Sequence, residues 1–437
     1  MNRLSIAVLA LFLIAMPATA QIKIQEVISP GGIKAWLVEE HAIPFIALKV
    51  GFRGGTSLDS AEKQGATNLM VGLLEEGTGD MDAAAFLKAT EELAANFSYS
   101  ARRDSVMISA RVLTSNAPEA LDLLKLAITK PAFNQVAFDR VKGQVISGLE
   151  SEKSDPDAIA GKRMNQISYG EHAYSRPREG SVETVNMLTP ADMMAAHRVG
   201  LTLDHMVVGV VGDVTAAQLG PMLDRLSGDL PKTGAVLPEN VDFAATGKTT
   251  VIDFDTPQSV ALWSHKGLDR HHPDFLAAYV MNHILGGGGF GSRLTDEVRE
   301  KRGLTYGVYS YLAALDHSNF VGGSVASGND KIAKALAVIR AEWARAAQGD
   351  FTAQELDDAK KYLTGSYPLR FGSNAQIAGA LVSLQLDSLP IDYVNTRNGK
   401  VEALTLDHIN RVARELLRPD QLQFVVVGKP VGLQVSQ

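Results

Sequence analysis

The chain of 437 residues contains no cysteine, which excludes a disulfide framework and a lipid anchored on a processed N-terminal cysteine. It carries no excess of basic charge. Lys+Arg number 42 against 49 Asp+Glu, a formal net charge of −7, and no basic stripe marks a nucleic-acid partner. After the first twenty residues no apolar run is long enough to cross a bilayer. None of the ten histidines stands four residues from another, so no helix face carries the paired histidines of a zinc hydrolase.

What is present is a folding chain, 46% hydrophobic and 21% charged. Its start reads as a secretory leader. Arg3 is the positive end, Ile6 to Met16 the apolar stretch, and Ala18-Thr19-Ala20 a small-residue cleavage site. The apolar stretch is too short for a membrane span, so no stable membrane anchor is expected. Cleavage after Ala20 and a bacterial periplasmic location are expected. Loss of Arg3 takes the basic count from 42 to 41 and the net charge from −7 to −8, an ordinary solubility charge.

The remainder reads as two copies of one unit. Leu188-Thr189 precedes a helix and then the apolar run Met206 to Gly212. Leu404-Thr405 precedes another helix and then Phe424 to Gly428. Leu188 and Leu404 are 216 residues apart, and so are Gly212 and Gly428. Both runs have the length and composition of buried strands closed by a glycine turn. Ser105–Val112 and Asn319–Val325 alternate as strands do. Amphipathic helices follow at Ala117–Thr129 and Lys331–Ala347, and further helices begin near Asn134 and Thr352. A single long-range repeat means duplication, because a solenoid needs a shorter period. The turn-rich stretch 229–247 reads as a linker between an N-terminal half, 21–228, and a C-terminal half, 248–437. The expected class is α+β, each half an antiparallel or mixed sheet with helices on one face.

Three features together resemble the M16 (pitrilysin-like) peptidases, in the two-domain branch that includes mitochondrial processing peptidase subunits. They are the Gly65–Thr78 segment, the duplicated layout, and the long stretch Gly286-Gly-Gly-Gly-Phe-Gly-Ser-Arg-Leu-Thr-Asp-Glu-Val-Arg-Glu-Lys-Arg-Gly-Leu-Thr-Tyr-Gly-Val-Tyr309. The resemblance covers nearly all of the chain after the leader. It implies an inverted zinc motif, His-x-x-Glu-His, at Asn68, Val71 and Gly72, with a third ligand at Gly148 when aligned on Ser154-Asp155-Pro156. Each position has lost its chemistry. Zinc hydrolysis needs three protein ligands and an open position for water. Asn68 is a poor ligand, Gly72 and Gly148 have no side chain, and Val71 cannot take a proton. Glu150 and Glu152 are out of register. No metal and no cofactor are expected in this chain. Without the resemblance, Asn68–Gly72 is plain helix packing, with Gly72 admitted for a close approach.

The same resemblance implies that Arg299 and Tyr306 face a zinc across a chamber, holding the peptide and the oxyanion that forms on its carbonyl. Ser292 is expected to cap a helix running to about Arg302, with Arg299 in its last turn, and Gly303 to end it, with Tyr306 entering the next strand. Taken alone, Arg299 belongs to an ordinary charged helix surface. Gly286, Gly287, Gly288 and Gly289 lack the Gly-Lys-Ser/Thr ending of a phosphate loop and are expected to form a flexible substrate loop. The implied function is a non-catalytic subunit of a heterodimeric zinc metallopeptidase. Its homologous partner carries His-x-x-Glu-His and the zinc, and this chain adds Arg299 and Tyr306 around an extended peptide. The alternatives are an inert scaffold or peptide-binding protein, and an autonomous hydrolase with unusual ligands.

Overall fold

Alternation of apolar residues along the chain builds two separate mixed sheets in the computed structural model, which describes residues 22–433. The expected leader and its cleavage site lie outside those residues. In chain order the strands are β1 (Gln25–Ile28), β2 (Lys34–Glu39), β3 (Phe45–Arg53), a small hairpin β4 (Gly77–Thr78) and β5 (Met81–Asp82), β6 (Asn96–Ala101), β7 (Ser105–Leu113), β8 (Met206–Gly212), β9 (Thr249–Asp253), β10 (Gln258–Lys266), β11 (Val308–Ala314), β12 (Asn319–Gly328) and β13 (Gln423–Gly428). The first sheet runs β1-β2-β8-β3-β7-β6 and the second β11-β12-β10-β13-β9. Each has one parallel pair, β2 with β8 and β13 with β9, and is otherwise antiparallel. The second sheet repeats the first without a counterpart of β1. Between Ser227 and Thr249 there is no helix or strand, yet Phe243 of this connection is buried.

Each sheet is covered on both faces, which the sequence pattern does not show. On β3, Ile46, Leu48, Val50 and Phe52 face helices of their own half. The alternate residues of β3 and β8 face helix Asn374–Leu386, which comes from the C-terminal half. Helix Pro156–Tyr169 of the N-terminal half lies in turn on β10 and β13, where Ala160 and Met164 meet Val425 and Val427. The halves therefore exchange a helix. Glycine makes the seat: a Cβ on Gly209 would stand 2.7 Å from the Ala378 carbonyl oxygen, and one on Gly51 would stand 2.9 Å from a Val382 methyl. Arg53, at the end of β3, donates to the last carbonyls of the exchanged helix, Leu386 and Gln385, both at 2.6 Å. Those carbonyls carry the negative end of the helix dipole.

The tips of two hairpins meet across the halves. The Tyr174 hydroxyl donates to Asp104 at 2.6 Å and accepts from the His317 backbone N–H at 3.1 Å. Burial raises Asp104, and burial together with the Asp104 carboxylate pushes Asp316 up to about 6. No helix among the described residues is long and apolar enough to cross a membrane.

Candidate functional site

The implied zinc frame is a single short helix, Ala66–Gly72, held by its core face. Leu69, Met70, Leu73 and Leu74 are fully buried, as core-type residues at that spacing should be. Asp59 anchors the start, accepting from the Gly65 N–H at 3.0 Å, the Thr67 N–H at 3.1 Å and the Thr67 hydroxyl at 2.6 Å. Burial pushes its carboxyl up to about 6 against those bonds. Val71 is buried, Asn68 half-buried and Gly72 exposed. Close packing does not explain Gly72. A Cβ there would meet only a Val141 methyl, at an ordinary 3.4 Å. Gly148 lies on the adjacent helix Gln135–Glu152, exposed, with nothing within 4 Å of a Cβ.

The donor set does not fit zinc. Two of the three ligand positions carry no side chain and the third carries an amide, so no pair of ligands closes on a metal. Glu150 is exposed and paired with Lys153 at 2.8 Å, and Glu152 lines a different hollow with Lys153 and Arg178. The histidines are occupied elsewhere. His283 stacks on Tyr362 with ring centroids 5.0 Å apart, His172 caps the turn Ala173–Ser175, and His271 and His272 lie in the turn before helix Phe275–Asn282. Among the described residues no three His, Asp or Glu side chains are grouped to hold a metal ion.

Beside the emptied helix is a hollow of about 620 Å³, between helix Ala83–Glu92 and the edge strand β6. Glu75, Phe86, Phe97 and Tyr99 line it. Asn96, Ser98 and Ser100 of β6 point into solvent, and β11 is the corresponding edge of the second sheet. An exposed strand edge offers unpaired N–H and C=O groups to an extended peptide.

Arg299 lies on the segment Thr295–Glu300, helical as expected and wound as a π-helix. Lys301 N–H bonds to the Asp296 carbonyl at 2.9 Å, and Gly303, at φ 59°, bonds to the Arg299 carbonyl at 2.8 Å and ends the helix. Ser292 accepts from the Thr295 N–H at 3.4 Å, as a cap should. Buried Leu294 and Val298 hold the inner face. Arg293 pins the start by a two-pronged bond to Glu355, at 2.6 and 2.8 Å, and a bond to Asp350 at 2.5 Å. Nothing near Arg293 in sequence announced partners some sixty residues away.

The outer face is open. The Arg299 guanidinium is 4.5 Å from the Phe290 ring centroid and 3.4 Å from Glu300. Tyr306 is 88% exposed, in a bend two residues before β11 rather than at the strand itself. No hydrogen bond joins Arg299 to Tyr306 within the chain. The glycine run is only half a loop. Gly286 and Gly287 finish a π-helical turn, His283–Gly287, and a Cβ on Gly286 would overlap the Ser310 hydroxyl of β11. Gly288 and Gly289 form the turn proper, with Gly289 at φ 59° and Phe290 exposed at its tip. The stacking of Phe290 on Arg299 was missed in the sequence, although an aromatic at the end of a glycine run was its one signal.

Residues 36–181 match the family model described as insulinase (peptidase family M16), and residues 188–363 the model described as peptidase M16 inactive domain. A solved peptidase M16 inactive domain from Pseudomonas fluorescens superposes with a TM-score of 0.88, at 30% identity over 94% of this chain and 100% of that one. The chain belongs to the M16 peptidase family. Among M16 relatives, a non-peptidase homolog, YmxG, of Helicobacter pylori is 26% identical over 89% of this chain and 90% of its own length. An uncharacterized zinc protease of Streptomyces coelicolor is 25% identical over 93% of this chain and 90% of its own. A protease structure from Helicobacter pylori, TM-score 0.84 at 18% identity over 93% and 99% of the two chains, shares the fold. This M16 chain has two halves of matching strand order, and the side chains at Asn68, Val71 and Gly72 do not make a zinc-ligand set.

Proposed function

We propose that this chain is the non-catalytic subunit of a heterodimeric periplasmic zinc metallopeptidase. A homologous M16 subunit with an intact His-x-x-Glu-His holds the zinc, and this chain contributes peptide binding, Arg299 and Tyr306. One observation carries the reading: a tyrosine 88% exposed, seven residues after a part-exposed arginine on a helical segment whose inner face is firmly packed. An exposed phenol, and a guanidinium whose contacts within the chain are one part-exposed ion pair and one exposed ring, suit a reaction that takes place against another surface. The peptide is expected to add as a strand to an open edge. The N-terminal half, 21–228, then serves as the metal-free face and the C-terminal half, 248–437, as the donor face, joined through 229–247.

A second reading is supported by the emptied helix itself: an inert M16-like scaffold or peptide-binding protein, which associates with partners without using Arg299 or Tyr306. Co-expression with a homologue carrying His-x-x-Glu-His, co-purification and a peptide-cleavage assay separate the two. The heterodimer reading requires a stable complex that cleaves peptide and is impaired by changes at Arg299. A stable complex indifferent to those changes supports the scaffold, and absence of any complex defeats the heterodimer.

A further inference from the structure

A pocket of about 420 Å³ lies between helix Phe275–Asn282, the far end of β11 and the exchanged helix Asn374–Leu386. Two guanidinium groups are held there by aromatic rings. Arg270 lies 4.5 Å from the Phe275 ring centroid and 5.5 Å from that of Tyr393, and pairs with Asp387 at 3.4 Å. Arg397 lies 4.6 Å from the Tyr367 centroid and 5.6 Å from that of Tyr279. It is only 5% exposed. Its Nη1 donates to the Leu363 carbonyl at 2.8 Å and to Asn398 at 3.0 Å. Among the described residues no carboxylate pairs with Arg397, and its Nη2 and Nε make no hydrogen bond. A charge taken out of water without a counter-ion is costly, and proteins rarely bury one unless something pairs with it.

We propose that this pocket binds a carboxylate carried on an apolar or aromatic body, with Arg397 as its counter-ion. Arg270 is already matched by Asp387, so Arg397 is the buried positive charge left to be met, and one carboxylate meets it. Leu312, Phe371 and Leu384 give the pocket an apolar wall, and its volume is that of a small-ligand site. Exposed Arg370 at the rim adds attraction for an anion. Two sources share this chemistry: the terminal residue of a peptide lying along β11, and a free aromatic acid. Leu312 and Ala314 are six and eight residues beyond Tyr306, roughly 20–25 Å along an extended chain. The pocket is thus separate from Arg299 and Tyr306, and its occupancy neither requires nor disproves a role for them.

Calorimetric titration of the mature chain tests the pocket with four probes: N-acetyl-phenylalanine, its amide, and an octapeptide ending in phenylalanine as free acid or as amide. At least one acid is expected to bind at least ~10-fold more tightly than its amide, as loss of a charged hydrogen-bond partner requires. If the peptide acid is tighter than the single residue, the ligand is a peptide terminus. If the two are equal, it is a small acid. Ser383→Trp, at an exposed position on the pocket wall, should block binding while leaving the melting temperature unchanged. It avoids the folding cost of removing buried Arg397. Equal affinity for acids and amides, no binding of either acid at millimolar concentration, or acid binding unaltered by Ser383→Trp would overturn the proposal.

Discussion

Replacing Arg299 with alanine separates a role in chemistry from a role in folding, because the two differ greatly in size. Within the chain its guanidinium makes one ion pair, 3.4 Å to Glu300, with the two side chains 32% and 54% exposed. Such a pair contributes about 0–1 kcal/mol. Stacking on the exposed Phe290 ring adds about 0.5–1 kcal/mol. Folding should lose less than about 2 kcal/mol, and the melting temperature a few degrees at most. An oxyanion donor in an assembled active site is a different matter. Its loss costs about 2.7–4 kcal/mol, a fall of roughly 10²–10³ in kcat. The assay is cleavage of a quenched fluorescent peptide by the complex with the His-x-x-Glu-His subunit, with kcat and KM measured apart and melting followed in parallel. The expected result is a large loss in kcat with little change in melting, shared by Tyr306→Phe. Arg293→Ala supplies the contrast. Its guanidinium side chain is 8% exposed and doubly paired, so breaking it should cost about 3–5 kcal/mol of stability. A kcat for Arg299→Ala within twofold of wild type would refute the reasoning, as would a loss fully matched by unfolding.

Two further outcomes follow from the geometry. The triple change Asn68→His, Gly72→His and Gly148→Glu should give a folded chain that retains on the order of one zinc per molecule after dialysis, because space for the new side chains is open at both glycines. A folded variant without zinc, by elemental analysis, would mean that these positions are not the emptied frame. Asp316→Asn should stabilise the chain at pH 7.5 by about 1 kcal/mol, the shift being discounted for partial exposure. Asp316 is raised from 3.8 to about 6, so between those pH values its folded form holds a proton that the unfolded chain has released. That contribution is complete below pH 3.8 and is lost as pH rises through about 6. Urea melts from pH 4 to 8 should show a smaller decline for the variant over this window. Parallel curves would reject the assignment.

Much of the fold was legible because burial imposes period. The Met206–Gly212 and Phe424–Gly428 runs mark the same central position in the two sheets, and the capping box at Thr352 begins a helix where its spacing says it should. The exchange of helices Pro156–Tyr169 and Asn374–Leu386 was not legible, since an amphipathic helix does not state which sheet it will cover. Gly51 and Gly209 record the close approach, but a glycine within a strand has several other causes. At the site, Asn68, Val71, Gly72 and Gly148 are positions that the family resemblance implies, and the chain itself shows only a packed helix there. The π-winding beneath Arg299, the helical half of the glycine run and the partners of Arg293 depend on residues distant in sequence. The pocket around Arg397 combines five segments of chain, none of which has a local signature.

The central claim is division of labour: no metal chemistry in this chain, and substrate-holding groups supplied to a partner. Its most direct measurement is the peptide-cleavage rate of the purified His-x-x-Glu-His subunit as this chain is titrated in. The account predicts a low rate for either chain alone, and a rise that saturates at one copy of this chain per zinc-bearing subunit. A partner rate unchanged throughout the titration, or full activity in this chain by itself, would contradict it.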